Sequence, residues 1–195
     1  MIVVVAGLVA LLSPALFGGR LTRLGEVRLR SRRYVLAALL MQVVILSLVL
    51  VVDARVLAAF HVLSYLLAGV FVWRNRGIPG LAVTATGVAS NGITIAVNEG
   101  TLPASPAGLR AAGIVQNGAD FVNSGALAHP RLAWLGDVFV VPAPLPLANV
   151  FSIGDVLIVV GVAIGAHRIC RSRLTRRPDP SAASSAPTEP SISTW

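Results

Sequence analysis

Five apolar runs, separated by short arginine-bearing segments, restrict this chain more than any other feature does. The runs cover about residues 1–17, 34–52, 56–73, 78–97 and 151–166. Each is near the ~20 residues that an α-helix needs to cross a hydrocarbon core of about 30 Å. A chain of 195 residues that is 55% hydrophobic and 12% charged has room for one domain and too little polar surface for an ordinary soluble one. The pattern therefore predicts an all-α integral membrane helical bundle. It has about five transmembrane helices, a re-entrant or interfacial half-helix, and a disordered C-terminal tail. The transmembrane domain takes residues 1–170, and residues 171–195 form a basic, then disordered, cytoplasmic tail.

All 16 basic residues are arginine, and the formal charge is +8. They flank the apolar runs instead of lining a polar face, so anionic lipid headgroups, and not nucleic acid, are the expected partner. Gly18 to Arg33 carries six arginines against the single Glu26. Leu21, Leu24 and Val27 recur there every third residue, which suits an interfacial helix. With five spans, this loop, the Arg74 to Arg76 turn and the tail share one side, which holds 13 of the 16 arginines. The positive-inside rule makes that side cytoplasmic, and puts the N-terminus and segment 99–148 outside the cell.

The fourth run differs from the others. Thr84, Gly87, Asn91, Thr94 and Asn98 advance by three and four residues, so on a helix they form one polar, small-residue stripe. Such a stripe serves as packing glue between helices, or else lines a path for a small polar solute or a lipid pocket. Segment 99–148 is the one long non-spanning stretch. Ser105-Pro106 opens a short helix through Val115 by N-cap and first-turn preference. Leu132 to Val141 is about half the length of a span, hence the half-helix.

One phrase is written twice. Leu135-Gly136-Asp137-Val138-Phe139 is echoed by Ile153-Gly154-Asp155-Val156-Leu157, with prolines between the copies. An acid at bilayer depth is expensive unless paired or wet, which makes both aspartates functional candidates. The bland alternative is an anion in a first helical turn, where the backbone N–H groups favour it. Ser152 is spaced three residues before Asp155, as in a capping box, so Asp155 reads mainly as a cap. Asp137 has no such local partner. The other candidates are Asn91, Asn98 and Glu99 at the end of the stripe, Gln42 in the second run, and His61 in the third. His61 reads as a neutral histidine bonded to a neighbouring helix, with proton relay or metal ligation as the alternative. No zinc-site spacing, phosphate-binding glycine loop or nucleophile elbow is present, and Cys170 is the only cysteine. No catalytic, cofactor-binding or metal residue is assigned, and no cofactor is implied.

Several spaced motifs, taken together, resemble a known family. They are Phe17-Gly18-Gly19-Arg20-Leu21, Gln42, Asn98-Glu99-Gly100-Thr101-Leu102-Pro103, Leu135-Gly136-Asp137-Val138-Phe139 and Ser152-Ile153-Gly154-Asp155-Val156-Leu157-Ile158. The set is similar to an uncharacterised, domain-of-unknown-function family of small bacterial multi-pass membrane proteins, common in actinobacteria. The resemblance covers about Met1 to Gly165 and omits the tail. It implies a bacterial plasma-membrane location and carries no activity.

Two functions follow as expectations. The first is a non-enzymatic protein that binds or organises a membrane-protein partner or a second copy of itself through segment 99–148. The second is a small-solute or lipid transporter with an outward-facing polar cavity built from the stripe and the two aspartates.

Overall fold

A computed structural model describes residues 2–48, 54–115 and 124–175. Six helices are present among them: α1 (Ile2–Leu12), α2 (Arg32–Leu48), α3 (Ala54–Arg74), α4 (Leu81–Val97), α5 (Pro106–Ala111) and α6 (Ile153–Ile169). Four short strands accompany them: β1 (Leu102–Pro103), β2 (Ser124–Gly125), β3 (Asp137–Val141) and β4 (Asn149–Ser152). Helix α6 packs against α4 on one side and α1 on another, while α2 and α3 form a helical pair.

The expected bundle of transmembrane helices is corrected. Among the described residues, no helix is long and apolar enough to cross a membrane. Local chain breakers shorten the runs. Pro14 turns the end of the first run into a 3₁₀ segment, Ser13–Phe17, so α1 keeps 11 residues. Helices α2, α4 and α6 have 17 residues each, about 26 Å at ~1.5 Å per residue. Helix α3 has 21 residues, with Arg55 and Arg74 near its ends.

The chain is not all-α either, and the half-helix over 132–141 is the second correction. Leu132 takes a left-handed conformation, Ala133–Leu135 makes a single 3₁₀ turn, and Asp137–Val141 is a strand paired antiparallel with β4. A run of β-branched and aromatic residues followed by three prolines favours a strand and a turn over a helix. The interfacial helix over 18–33 is likewise replaced by one 3₁₀ turn, Leu21–Leu24, whose three-residue repeat accounts for the spacing of Leu21 and Leu24. The short helix after Ser105 does form, though it ends at Ala111. The Ser105 hydroxyl accepts the Gly108 N–H at 3.3 Å. Beneath it lies a small core of Ala104, Leu109, Ala112 and Val150, with Ile114 packed alongside.

The polar stripe of α4 faces α6, and the two helices run antiparallel. Gly80 and Thr84 lie on Gly161, Gly87 lies on Gly154, and Asn91 reaches Ser152 and Asp155. A Cβ on Gly87 would overlap the Gly154 carbonyl, and one on Gly161 would overlap Thr84. Glycine on both partners is what lets the backbones meet. Gly80 also carries a φ of 78° at the start of α4, a conformation that glycine reaches without a Cβ penalty.

Candidate functional site

The doubled phrase ends in two different structures that touch. Ser152 is both the last residue of β4 and the N-cap of α6. Its hydroxyl accepts the Asp155 N–H at 3.0 Å, and Asp155 Oδ2 accepts the Ser152 N–H at 2.9 Å, which closes the capping box. Asn91 crosses from α4 to complete the arrangement. Its Nδ2 donates to Asp155 Oδ1 at 3.0 Å, and its Oδ1 accepts from the Ser152 hydroxyl at 2.9 Å. Asp155 is thus a cap that also locks α6 to α4.

Asp137 stands opposite Ser152 in the β3–β4 register, with a bulge following it. It is 5% exposed. The Ser124 hydroxyl donates to its Oδ2, and its main-chain carbonyl accepts from the Ser105 N–H at 3.0 Å. Oδ1 is buried with no hydrogen-bond partner among the described residues. Burial raises the Asp137 carboxyl from 3.8 to about 6; the Ser124 hydrogen bond opposes that rise and the nearby Asp155 charge adds to it. The two aspartates therefore do converge, with Ser152 between them. Ser124, the partner that sequence reasoning missed, carried no local signal, because its contact with Asp137 forms only when β2 is brought beside β1.

The remaining candidates are scattered. Asn98 donates through Nδ2 to the Thr94 and Arg131 carbonyls at 2.8 and 2.7 Å, and its Oδ1 accepts the Arg131 N–H at 2.8 Å. Its amide is thereby spent on pinning a loop to the end of α4. Gln42 donates to the Ser64 hydroxyl at 2.7 Å and joins α2 to α3. Glu99 is exposed, with a φ of 56° at the end of α4. His61 lies on α3, with its side chain outside the described residues, and so does the tail beyond residue 175. Among the described residues, no group of three or more His, Cys, Asp or Glu could hold a metal ion.

Asn91→Ala is expected to leave Asp155 Oδ1 and the Ser152 hydroxyl without their partner at a helix interface. The cost should be about 1–3 kcal/mol, read as a lower midpoint in chemical unfolding. A loss below about 0.5 kcal/mol would mean that solvent replaces the amide there.

A cavity of about 200 Å³ lies between α1 and α6, lined by Ile2, Val3, Ala6, Val156 and Val159 among others, with Asp155 at its edge. It is smaller than the ~300 Å³ at which small-molecule pockets begin, and its walls are apolar.

The opposite end of the molecule is basic. Arg20 N–H donates to the Cys170 carbonyl at 3.0 Å, and Arg30 and Asn75 exchange hydrogen bonds at 2.8 Å. His167 contacts the hydroxyls of Ser13 and Ser172 at 3.0 and 2.7 Å. These ties gather the arginine-bearing loop, the α3–α4 turn and the end of α6 into one face. Asn75, buried at the centre of that join, was also missed from sequence. It fastens Arg30 as Asn98 fastens Arg131, by a side-chain amide that pairs with both main-chain groups of a distant residue.

Geometry thus defines a mainly helical protein with an arginine face at one end and a buried pair of acids, held by a β-hairpin and two helix ends, at the other. The chain matches the Family of unknown function (DUF5317) over residues 26–166, and it belongs to that family. It is also similar to an uncharacterized protein of Thermotoga maritima, 34% identical over 97 residues, which are 48% of this chain and 54% of that protein. The match therefore spans about half the length of that relative. No solved structure matches the chain.

Proposed function

We propose that this protein is a non-enzymatic, partner-binding component of the bacterial plasma membrane. Its arginine face rests on anionic headgroups, and segment 99–148 presents a recognition surface at the other end. The observation that carries this reading is the separation of the two faces along α6. That helix begins at Ser152 and Asp155 and ends at His167 and Arg168, beside the other arginines. Exposed apolar side chains support both contacts. Leu8, Val9, Leu12, Leu36, Leu39 and Leu40 project from α1 and α2, where lipid covers them. Around the hairpin, Trp134, Phe139, Leu145 and Leu147 are open to a partner.

Two measurements test the proposal. On fractionation of cells expressing the full chain, the protein should sediment with membranes at low ionic strength; recovery in the aqueous fraction under those conditions would overturn the membrane half. A photo-crosslinker placed at Trp134 should give one stoichiometric protein adduct in native membranes, and scrambling residues 132–147 should abolish it. A ladder at background intensity would remove the recognition surface.

One observation favours the alternative of a small-solute or lipid transporter, namely the convergence of Asp137 and Asp155 beside the α4 stripe. In proteoliposomes, Asp137→Asn combined with Asp155→Asn should then abolish flux. Unchanged transport would take both acids out of the mechanism.

A further inference from the structure

Among the described residues, the arginine face brings two guanidinium groups to one aromatic ring with no carboxylate paired to either. Tyr34 lies in the first turn of α2, and two guanidinium groups stand against its ring: Arg33 with Cζ 5.3 Å from the centroid, and Arg74, from the end of α3, at 5.8 Å. Arg74 also donates to the Ser31 hydroxyl at 3.3 Å. The hydrogen bonds between Arg30 and Asn75, each 2.8 Å, hold the two helix ends together, so the juxtaposition of Arg33 and Arg74 is fixed by the fold. The first turn of α2 has no acidic residue and adds the positive end of a helix dipole, while its Tyr34 N–H is taken by the Ser31 carbonyl at 3.0 Å. Glu26 is the one carboxylate among the described residues of this end, and no ion pair joins it to Arg33 or Arg74 among them.

Two like charges brought to one ring at a helix N-terminus repel each other, and an anion bound beside them relieves that repulsion. Guanidinium groups match the oxygens of a phosphate in bidentate geometry, and the aromatic ring keeps both of them near it without neutralising them. We propose that Arg33, Arg74 and the first turn of α2 form a binding site for a phosphate group. The proposal rests on the membrane reading only for the source of that phosphate. A phospholipid headgroup and free inorganic phosphate share the chemistry.

The test uses the full chain in detergent. Binding is measured to vesicles of phosphatidylglycerol mixed with phosphatidylcholine, to vesicles of phosphatidylcholine alone, and to sodium phosphate against sodium chloride at matched ionic strength. The double variant R33Q/R74Q should bind the phosphatidylglycerol vesicles about ten- to thirty-fold more weakly than the wild type. The variant R110Q/R131Q, which makes the same charge change at the other end, should shift affinity less than about two-fold by the same surface-charge argument. R33K/R74K keeps the charge and loses the fork, so it should recover part of the affinity, and it reports on the site if the glutamine variant fails to fold.

Saturable binding of inorganic phosphate that R33Q/R74Q abolishes, with no preference for phosphatidylglycerol vesicles, would keep the site and discard the lipid as its source. Equal losses in R33Q/R74Q and R110Q/R131Q would overturn the site and leave only a net-charge effect. Vesicle binding that R33Q/R74Q does not change would overturn the site while sparing the membrane reading. Failure to bind either phosphatidylglycerol vesicles or phosphate would overturn the site.

Discussion

Gly87→Ala should destabilise the protein by about 3 kcal/mol or more, at a position where helix propensity alone favours alanine by about 1 kcal/mol. The added methyl would overlap the Gly154 carbonyl and lie 2.9 Å from the Ile158 nitrogen, both backbone atoms of α6. A backbone cannot swing aside as a side-chain end does, so α4 and α6 must separate. Separation also pulls Asn91 from Ser152 and Asp155, which adds the loss of two cross-helix hydrogen bonds. Gly69→Ala supplies the control. Gly69 lies inside α3 with nothing within 4 Å of its would-be Cβ, so the same substitution there should stabilise by up to about 1 kcal/mol. Unfolding midpoints of the two variants should therefore move in opposite directions. Movement the same way in both would mean that the α4–α6 contact does not limit stability.

The second large effect concerns Asp137. Its carboxyl is raised from 3.8 to about 6, mainly by burial, so the folded protein binds a proton that the unfolded chain has released at intermediate pH. Stability from this group is fully present below 3.8, falls as pH rises, and is gone once pH has passed through about 6. A shift of about two units corresponds to about 3 kcal/mol between those limits. Between pH 4.5 and 7.5 the unfolding free energy of the wild type should fall by about 2 kcal/mol, the rest of the effect lying below pH 4.5, and Asp137→Asn should remove most of that fall. The variant should also be the more stable protein at pH 7.5, because it no longer buries a charged oxygen without a partner. An unchanged pH slope in Asp137→Asn would show that water or another donor already satisfies Oδ1.

Features that depend on neighbouring residues were legible before folding. Ser152 and Asp155 form their box because both members sit within one helical turn, and Ser105 caps α5 for the same reason. The α4 stripe was legible as a face because three- and four-residue spacing is a property of the helix itself, although sequence left open what it would meet. Its glycines meet those of α6, and Asn91 meets a cap. Segment 132–141 was misread because its length and apolarity were weighed above its β-branched residues and the prolines behind it. The first apolar run was likewise counted as a span through Pro14, which ends regular helix.

The amino-acid sequence by itself determined the composition, the unequal distribution of arginines, the helical face of α4 and the cap of α6, since each follows from residue type and short spacing. Only the tertiary structure decided how far each helix runs and that residues 137–152 form a hairpin. It alone joined Asp137 to Ser124 and brought it beside Asp155, and it alone gathered Arg33 and Arg74 on one ring. Those contacts join residues 13 or more positions apart, and no local preference specifies a partner at that distance. Closure of the chain by strand pairing and glycine-to-glycine packing specifies it.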